Sequence, residues 1–167
     1  MSPPITSLHR LEFVPRPAES LPKNPATAAR FGARRAALSL PLGLKRLGAN
    51  VTAVQPGKAA YPFHSHRVND ELFVILAGRG ELRLGAERHA VTEGDVIGCP
   101  AGDASTAHQL INTGDSELRY LAVSSEVDPE VCEYPDSGKI GTYVGNDDTG
   151  LSHLSLRGAA VDYWDGE

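Results

Sequence analysis

The stretch GKAAYPFHSHRVNDELFVILAG, residues 57–78, carries the strongest structural signal in the chain. His64 and His66 are two positions apart, so both side chains leave the same face of an extended strand. Glu71 follows five positions after His66, an odd offset that one continuous strand would place on the opposite face. Residues 67–70 are polar and include Asn and Asp, which tolerate turns. We therefore expect a break at 67–70 that brings Glu71 to the same side as the two histidines.

The same stretch offers the ligands that intermediate divalent metals prefer, namely neutral imidazole and carboxylate. A further histidine, His108, follows in PAGDASTAHQLIN at residues 100–112. We predict that one divalent transition metal, such as Zn, Fe, Mn or Ni, is bound by four side chains: His64, His66, Glu71 and His108. Asp70 is an alternative ligand to Glu71, but adjacent strand residues face apart, so only one of the two should point inward.

The remaining histidines and the two cysteines fall outside this pattern. We predict that His9, His89 and His153 are surface residues. Cys99 and Cys132 could pair, but two thiols in a chain without an export signal are more often reduced and inert. Cys99, just before Pro100, could line the cavity, but a buried structural thiol is the more common case.

Short β-prone segments separated by Gly and Pro turns follow one another at intervals of about ten residues, which favours an all-β sandwich or barrel over βαβ units. The predicted strands are 49–55, 63–66, 71–76, 80–84, 87–92, 95–99, 108–112 and 118–124. Residues 1–47 form a Pro-rich N-terminal arm with one short basic helix within 26–38. The barrel core covers about 48–125. The acidic tail, about 126–167, is loop-like apart from a possible edge strand at 139–144.

Residues 57–78 resemble the first motif of the cupins, G-x5,6-H-x-H-x3,4-E-x6-G, with Gly57, His64, His66, Glu71 and Gly78 at its fixed positions. Residues 94–112 are similar to the second motif, G-x5-P-x-G-x2-H-x3-N, with Gly94, Pro100, Gly102, His108 and Asn112 in place. Five residues separate Gly102 from His108 where the motif has two, which implies a longer loop. The resemblance covers about 48–125.

This resemblance implies a single cupin domain over residues 1–167: a cupin-type double-stranded β-helix, or jelly-roll barrel, with an arm and a tail. It also implies that the four predicted ligands converge inside the barrel. With Glu71 and His108 pointing inward, Phe73, Ile75 and Leu110 should face the interior too. The tail residues 133–136 are similar to those of small uncharacterised cupins, some of which have been labelled sugar-phosphate isomerases.

Composition and charge limit the kinds of partner that the protein is expected to bind. The 167 residues carry a net charge of −5, which speaks against broad nucleic-acid binding. The charge is uneven, with +6 on residues 1–48 and −11 on the rest. No apolar run is long enough to span a membrane, and the N-terminus lacks the apolar core of a signal peptide. We therefore expect a cytoplasmic protein, and the opposite charges of arm and core predict a homodimer with contacts made by the arms.

Two classes of function fit these observations. The first is a metal-dependent enzyme acting on a small oxygenated metabolite, either as a sugar or sugar-phosphate isomerase or as an Fe(II) dioxygenase. A phosphorylated substrate would need cations at the barrel mouth, for which Arg67, Arg119 and Lys139 are available. The second is a non-catalytic small-molecule or metal-binding module. No catalytic residue beyond the predicted metal ligands can be identified from the sequence.

Overall fold

A computed structural model describes residues 4–145 and 150–167, and short β-strands make up most of its regular structure. The strands are β1 (Val14–Pro15), β2 (Ala33–Ala37), β3 (Leu47–Val54), β4 (Ser65–His66), β5 (Glu71–Ala77), β6 (Arg79–Leu84), β7 (Glu87–Thr92), β8 (Val96–Cys99), β9 (His108–Ile111), β10 (Leu118–Ser125), β11 (Glu130–Tyr134), β12 (Lys139–Val144) and β13 (Leu151–Leu156). Helical turns in these described ranges are α1 (Pro25–Ala28) and the 3₁₀ turns Leu8–Arg10, Ala18–Ser20 and Ala104–Thr106. The predicted all-β class is confirmed. No helix in the described part of the chain is long and apolar enough to cross a membrane.

The strands form sheets that face each other across a buried interior. One sheet has the order β1-β2-β3-β10-β5-β8, a second the order β13-β12-β11-β4, and a third the order β7-β6-β9. The second and third sheets meet where His64 and His108 form an antiparallel bridge. The barrel strands from β3 to β10 begin and end within two residues of their predicted bounds.

The hydrophobic core lies between the six-stranded and three-stranded sheets. Phe73, Ile75 and Leu110 are buried there, as predicted, together with Leu82 and Leu118. Burial of each large apolar side chain contributes about 1.5–3 kcal/mol. This core exists independently of the polar cluster described below, so the barrel does not depend on that cluster for its apolar packing.

Gly78 shows why a glycine is needed at the turn between β5 and β6. Its φ is +84°, a left-handed conformation that side-chain-bearing residues rarely adopt. A Cβ added there would lie 2.7 Å from the backbone oxygen of Glu117. Another residue at this position would therefore force β5 away from the start of β10.

The predicted helix within 26–38 is wrong beyond its first turn. Helix α1 begins after Asn24, whose Oδ1 accepts hydrogen bonds from the backbone N–H groups of Ala26 and Thr27, and it ends at Ala28. Residues 33–37 instead form β2, which pairs along β3 from Val54 to Asn50. The high helix propensity of Ala and Arg is overridden because pairing with β3 satisfies the backbone and buries Ala36.

The expectation that the tail is loop-like apart from one strand is also wrong, because Glu130–Tyr134 and Leu151–Leu156 are strands as well. Strand β11 pairs with both β4 and β12, and β12 pairs with β13. The edge strand predicted at 139–144 is therefore a strand, but an internal one. Residues 146–149 of the predicted tail lie outside the described residues.

Candidate metal centre

The four predicted ligands approach one another because the ends of three strands meet at the same point. His64 precedes β4, His66 ends it, Glu71 begins β5 and His108 begins β9. The backbone N–H of His108 donates to the carbonyl of His64 at 2.8 Å, and the reverse bond is 3.2 Å long. The turn at 67–70 allows Glu71 to return to the side of the histidines, as the odd spacing required.

The extra residues before His108 are absorbed by a 3₁₀ turn, so His108 still points inward. Asp103 caps that turn at Ala104–Thr106, and its Oδ1 accepts from the backbone N–H of Ser105 at 2.8 Å. His108 itself is 2% exposed. The longer loop that the sequence indicated therefore does not displace the histidine.

The side chains of His64, His66, Glu71 and His108 form one compact cluster. Each offers one ligand atom, and these atoms all lie within 4.8 Å of one another. Glu71 Oε2 is 2.8 Å from His108 Nε2 and 3.4 Å from His66 Nε2. The ring centroids of His64 and His108 are 4.8 Å apart, and those of His64 and His66 are 5.0 Å apart.

The outward nitrogens of two of the rings are held by backbone carbonyls. His64 Nδ1 lies 2.9 Å from the oxygen of Pro62, and His108 Nδ1 lies 3.2 Å from the oxygen of Thr106. A carbonyl oxygen only accepts, so each Nδ1 carries a proton, which leaves Nε2 as the nitrogen that can bind a metal. Metal-ligating histidines are held in this way in proteins. Three imidazoles and a carboxylate so arranged fit a divalent transition metal and leave coordination positions open.

The surroundings favour ligand-competent protonation states at His64 and Glu71. Burial, together with the neighbouring His108 and His66, lowers the pKa of His64 to about 4, so this imidazole is neutral at pH 7. Burial opposes ionisation of Glu71, but hydrogen bonds from His108 and His66 outweigh it and hold its pKa well below the ordinary range. Burial also lowers the pKa of His66, but hydrogen bonds to Cys132 and Glu71 outweigh it and raise this pKa to about 10.

A cavity of about 770 Å³ opens next to the cluster, and His64 belongs to both. Hydroxyl groups and two cations dominate the rest of its lining: Arg16, Ser20, Tyr61, Tyr134, Ser137, Lys139, Tyr143 and Ser152. The ring of Tyr134 stacks on His64 with 6.2 Å between centroids, and its hydroxyl lies 3.2 Å from that of Tyr143. Burial and this hydrogen bond raise the pKa of Tyr134 above its usual range, so the hydroxyl stays protonated.

Of the three cations that the sequence offered for the barrel mouth, Lys139 alone lines this cavity. Arg67 forms an ion pair with the buried carboxylate of Glu133, and Arg119 lies beside Glu117 at 3.9 Å. Sequence reasoning missed Arg16, whose guanidinium lies 4.4 Å from the ring centroid of Tyr61 and donates to the Ala60 oxygen at 3.1 Å. The sequence around Arg16 has no motif that distinguishes it from the other Arg and Lys residues of the arm. The arm therefore supplies cavity residues, although it supplies none of the proposed ligands.

The other sequence assignments can be placed directly. Asp70 is outside the cluster, because its Oδ1 accepts from the backbone N–H of Ala101 at 2.8 Å. His9, His89 and His153 are exposed, as predicted. Cys99 and Cys132 are both buried and free, so they do not pair. Burial, with the nearby charge of Glu71, raises the pKa of Cys99 to about 12, which keeps this thiol protonated.

Comparison with known proteins supports the same region. Residues 50–124 match the family model described as Cupin domain. The chain is 33% identical over 85 residues to an uncharacterized protein of Methanocaldococcus jannaschii, which is 48% of this chain and 66% of that protein. It is 34% identical over 101 residues to auxin-binding protein 1 of Arabidopsis thaliana, which is 56% of this chain and 50% of that protein. The chain thus spans less than two thirds of either relative.

Solved structures resemble the whole chain. A protein from Silicibacter pomeroyi, described as a sugar phosphate isomerase from a cupin superfamily, has a TM-score of 0.76 at 24% identity, with 95% of this chain and 96% of that chain covered. A structure from Acidithiobacillus ferrooxidans has a TM-score of 0.75 at 21% identity, with the same coverage. At these identities the likeness shows the fold. The predicted cupin-type double-stranded β-helix is confirmed, and the similarity extends over most of its arm and tail.

Proposed function

We propose that this chain, whose residues 50–124 match the cupin domain model, is a metal-dependent enzyme acting on a small oxygenated metabolite, with sugar or sugar-phosphate isomerisation as its reaction. One observation carries the proposal. His64 is shared between a cluster with the donor set of a transition-metal site and a cavity lined by hydroxyls and cations.

The four clustered side chains, His64, His66, Glu71 and His108, would hold one divalent metal. Bound there, the metal would act as a Lewis acid toward a carbonyl or enediol oxygen. The apolar residues behind the cluster exclude water from this side, because Phe73 lies edge-on to His108 with 5.6 Å between ring centroids. A dry wall of this kind strengthens every electrostatic interaction at the site.

The cavity residues suit a polyhydroxylated anion. Arg16 and Lys139 bring positive charge, and charge-assisted hydrogen bonds from such groups to a phosphate are stronger than neutral ones. The tyrosine and serine hydroxyls can donate to and accept from sugar hydroxyls. Tyr134 and Tyr143 share one hydrogen bond, so the second of their two hydroxyl protons is available to a ligand.

The names of similar proteins support two versions of this function. The Silicibacter pomeroyi protein is described as a sugar phosphate isomerase, which fits the cationic and hydroxyl lining. The auxin-binding relative carries a name that implies small-molecule binding, which supports a non-catalytic module as the alternative. Fe(II) dioxygenase chemistry is the third candidate, since the donor set also accepts iron.

Elemental analysis of freshly purified protein, followed by substrate screens, tests the proposal. We expect about one equivalent of a divalent transition metal per chain, a rise in melting temperature with sugar phosphates, and their isomerisation detected by ¹H NMR. His108→Ala should abolish turnover, whereas the exposed His89→Ala should not. Metal-free protein that takes up no added Zn²⁺, Mn²⁺, Fe²⁺ or Ni²⁺ would contradict the proposal. Ligand binding without turnover would favour the binding module, and oxygen consumption would favour the dioxygenase.

A further inference from the structure

His66 differs from the other two histidines of the cluster in what faces its outward nitrogen. His66 Nδ1 lies 3.3 Å from Glu130 Oε2 and 3.4 Å from Cys132 Sγ. Both neighbours belong to β11, in which Cys132 is the register partner of His66. His64 and His108 have only backbone carbonyls at the corresponding position. Two tail residues outside both sequence motifs, Glu130 and Cys132, therefore contact His66 on the side that faces away from the cluster.

The carboxylate of Glu130 is fixed in place by the turn that joins β4 to β5. Its Oε1 accepts from the backbone N–H groups of Arg67 at 3.1 Å and Val68 at 3.2 Å, and from its neighbour Val131 at 2.7 Å. Its Oε2 accepts from the backbone N–H of Asn69 at 3.1 Å and from the side-chain amide of Asn69. The Glu130 side chain is 12% exposed. Four backbone N–H groups therefore fix the position of the Glu130 carboxylate.

His66, Glu130 and Cys132 are close enough together to suggest a second cation site. The bonds to Glu130 oppose that reading, because both of its oxygens already accept from protein donors and would have to give up those bonds to ligate an ion. Oε2, which faces His66, accepts from two donors whereas Oε1 accepts from three, so Oε2 can take a third, longer bond from an N–H at 3.3 Å without giving up the others. A ligating imidazole needs such an acceptor, since its second nitrogen carries a proton.

We propose that Glu130 is a positioning residue of the metal centre, which accepts the Nδ1 proton of His66 and directs Nε2 toward the metal. This inference rests on the proposed metal site. Cys132 is the weaker of the two candidate acceptors, because sulfur accepts hydrogen bonds poorly whereas a carboxylate accepts them strongly. A carboxylate behind a ligating histidine fixes its tautomer and raises its basicity, and loss of such a partner costs about 10–100-fold in metal affinity.

The experiment compares the binding of Co²⁺ by wild-type protein and by three variants, followed by visible absorption and calorimetry. Glu130→Gln keeps the size of the side chain but removes the charge, and we expect its affinity to fall by about 10–100-fold. Asn69→Ala is the matched control, because Asn69 ties the same turn to Val127 and Ser125 and donates to Glu130, but its loss leaves the carboxylate beside His66. We expect its affinity to stay within about threefold of wild type, and we expect the same for Cys132→Ala, which leaves the carboxylate as the neighbour of Nδ1.

A second measurement, by NMR, follows the His66 side chain directly. In Zn²⁺-loaded protein, the Nδ1–H signal of His66 in ¹H–¹⁵N spectra should shift in Glu130→Gln, while those of His64 and His108 stay in place. Equal affinity and an unshifted His66 signal in Glu130→Gln would overturn the inference. So would a loss in Asn69→Ala as large as that in Glu130→Gln, because Glu130 would then act only through the turn. If Glu130→Gln fails to fold, Cys132→Ala decides, because a tenfold loss there would assign the role to the thiol. Wild-type protein that binds no Co²⁺ would instead refute the metal site itself.

Discussion

His64 and His108 exchange two backbone hydrogen bonds, of 3.2 Å and 2.8 Å, at the seam between two sheets. The bridge fixes the two Cα atoms opposite each other, and their rings lie with centroids 4.8 Å apart. The two residues are 44 positions apart in the chain, so the fold, and not local sequence, pairs them. The bridge therefore links the architecture of the barrel directly to the geometry of the ligand cluster.

Replacing His66 with Ala should reduce metal content sharply and leave the fold intact. His66 supplies one of the clustered donor atoms, whereas the apolar core around Ile75 lies elsewhere. We expect metal affinity to fall at least tenfold, measured by calorimetry, with an unchanged circular dichroism spectrum. The control is His89→Ala, at an exposed histidine outside the cluster. Full metal occupancy in His66→Ala would contradict the assignment of this ligand.

Replacing Arg16 with Gln should weaken the binding of sugar phosphates without changing metal content. Arg16 lines the cavity beside Tyr61 but contacts none of the four ligands. Loss of one charge-assisted hydrogen bond to a phosphate costs about 1.5–3 kcal/mol, or a 10–150-fold rise in Kd. Thermal-shift titration measures the change, and Lys23→Gln, at an exposed lysine of the same arm, is the control. A Kd that is unchanged in Arg16→Gln would exclude Arg16 from ligand binding.

Three members of the ligand cluster were predictable from local sequence and the fourth, His108, from the second motif, but the surroundings of the cluster were not. His64, His66 and Glu71 lie within eight residues, so strand alternation and one turn suffice to place them on one side. Arg16 and Glu130 reach the site from positions 48 before His64 and 64 after His66, where no spacing rule applies. The helix prediction within 26–38 was wrong for a related reason. Residues 33–37 have high helix propensity, and only their pairing with β3 reveals them as a strand.

Replacing Asn112 with Ala should destabilise the barrel. Asn112 is fully buried, and its side-chain amide donates to the backbone oxygens of Val54 and Ser116, both at 2.8 Å. Its Oδ1 accepts from the backbone N–H of Gly114 at 2.9 Å. Three backbone groups, among them the fully buried carbonyl of Val54, and the buried Asn112 site itself would lose partners, so we expect a loss of about 2–4 kcal/mol in the free energy of unfolding, measured by urea denaturation. A loss below about 0.5 kcal/mol would show that these groups find other partners.

The ion pair between Arg83 and Asp136 should make a small, pH-dependent contribution to stability. Two hydrogen bonds, of 2.7 Å and 2.8 Å, join β6 to the turn between β11 and β12. The bond from Arg83 holds the pKa of Asp136 below its ordinary value of 3.8. The contribution is therefore present above pH 3.8 and lost as the pH falls through the lowered pKa.

We expect Asp136→Asn to cost about 0.5–1 kcal/mol at pH 7, because both side chains are partly exposed. The difference from wild type should shrink as the pH falls below 3.8, measured by urea denaturation at pH 7 and pH 3. Asp115→Asn is the control, since its carboxylate is 92% exposed and 3.7 Å from Arg79. An equal difference at both pH values would show that the ion pair is not its source.

We predict that the protein is a homodimer in which the arms help to form the contact. Strand β2 pairs with β3 of its own chain, which leaves β1 at the edge of the six-stranded sheet with Val14 63% exposed. The exposed Val14 offers an apolar contact there, and the +6 arm and the −11 remainder attract each other across two copies. Light scattering at micromolar concentration should therefore give twice the chain mass, and a mass near 17.8 kDa would contradict the dimer.

Val14→Lys should weaken the dimer and leave metal content unchanged, because the arm holds none of the proposed ligands. Val96→Lys, at an exposed position on the opposite edge of the same sheet, is the matched control. If it disrupted the dimer and Val14→Lys did not, the contact would belong to the β8 edge.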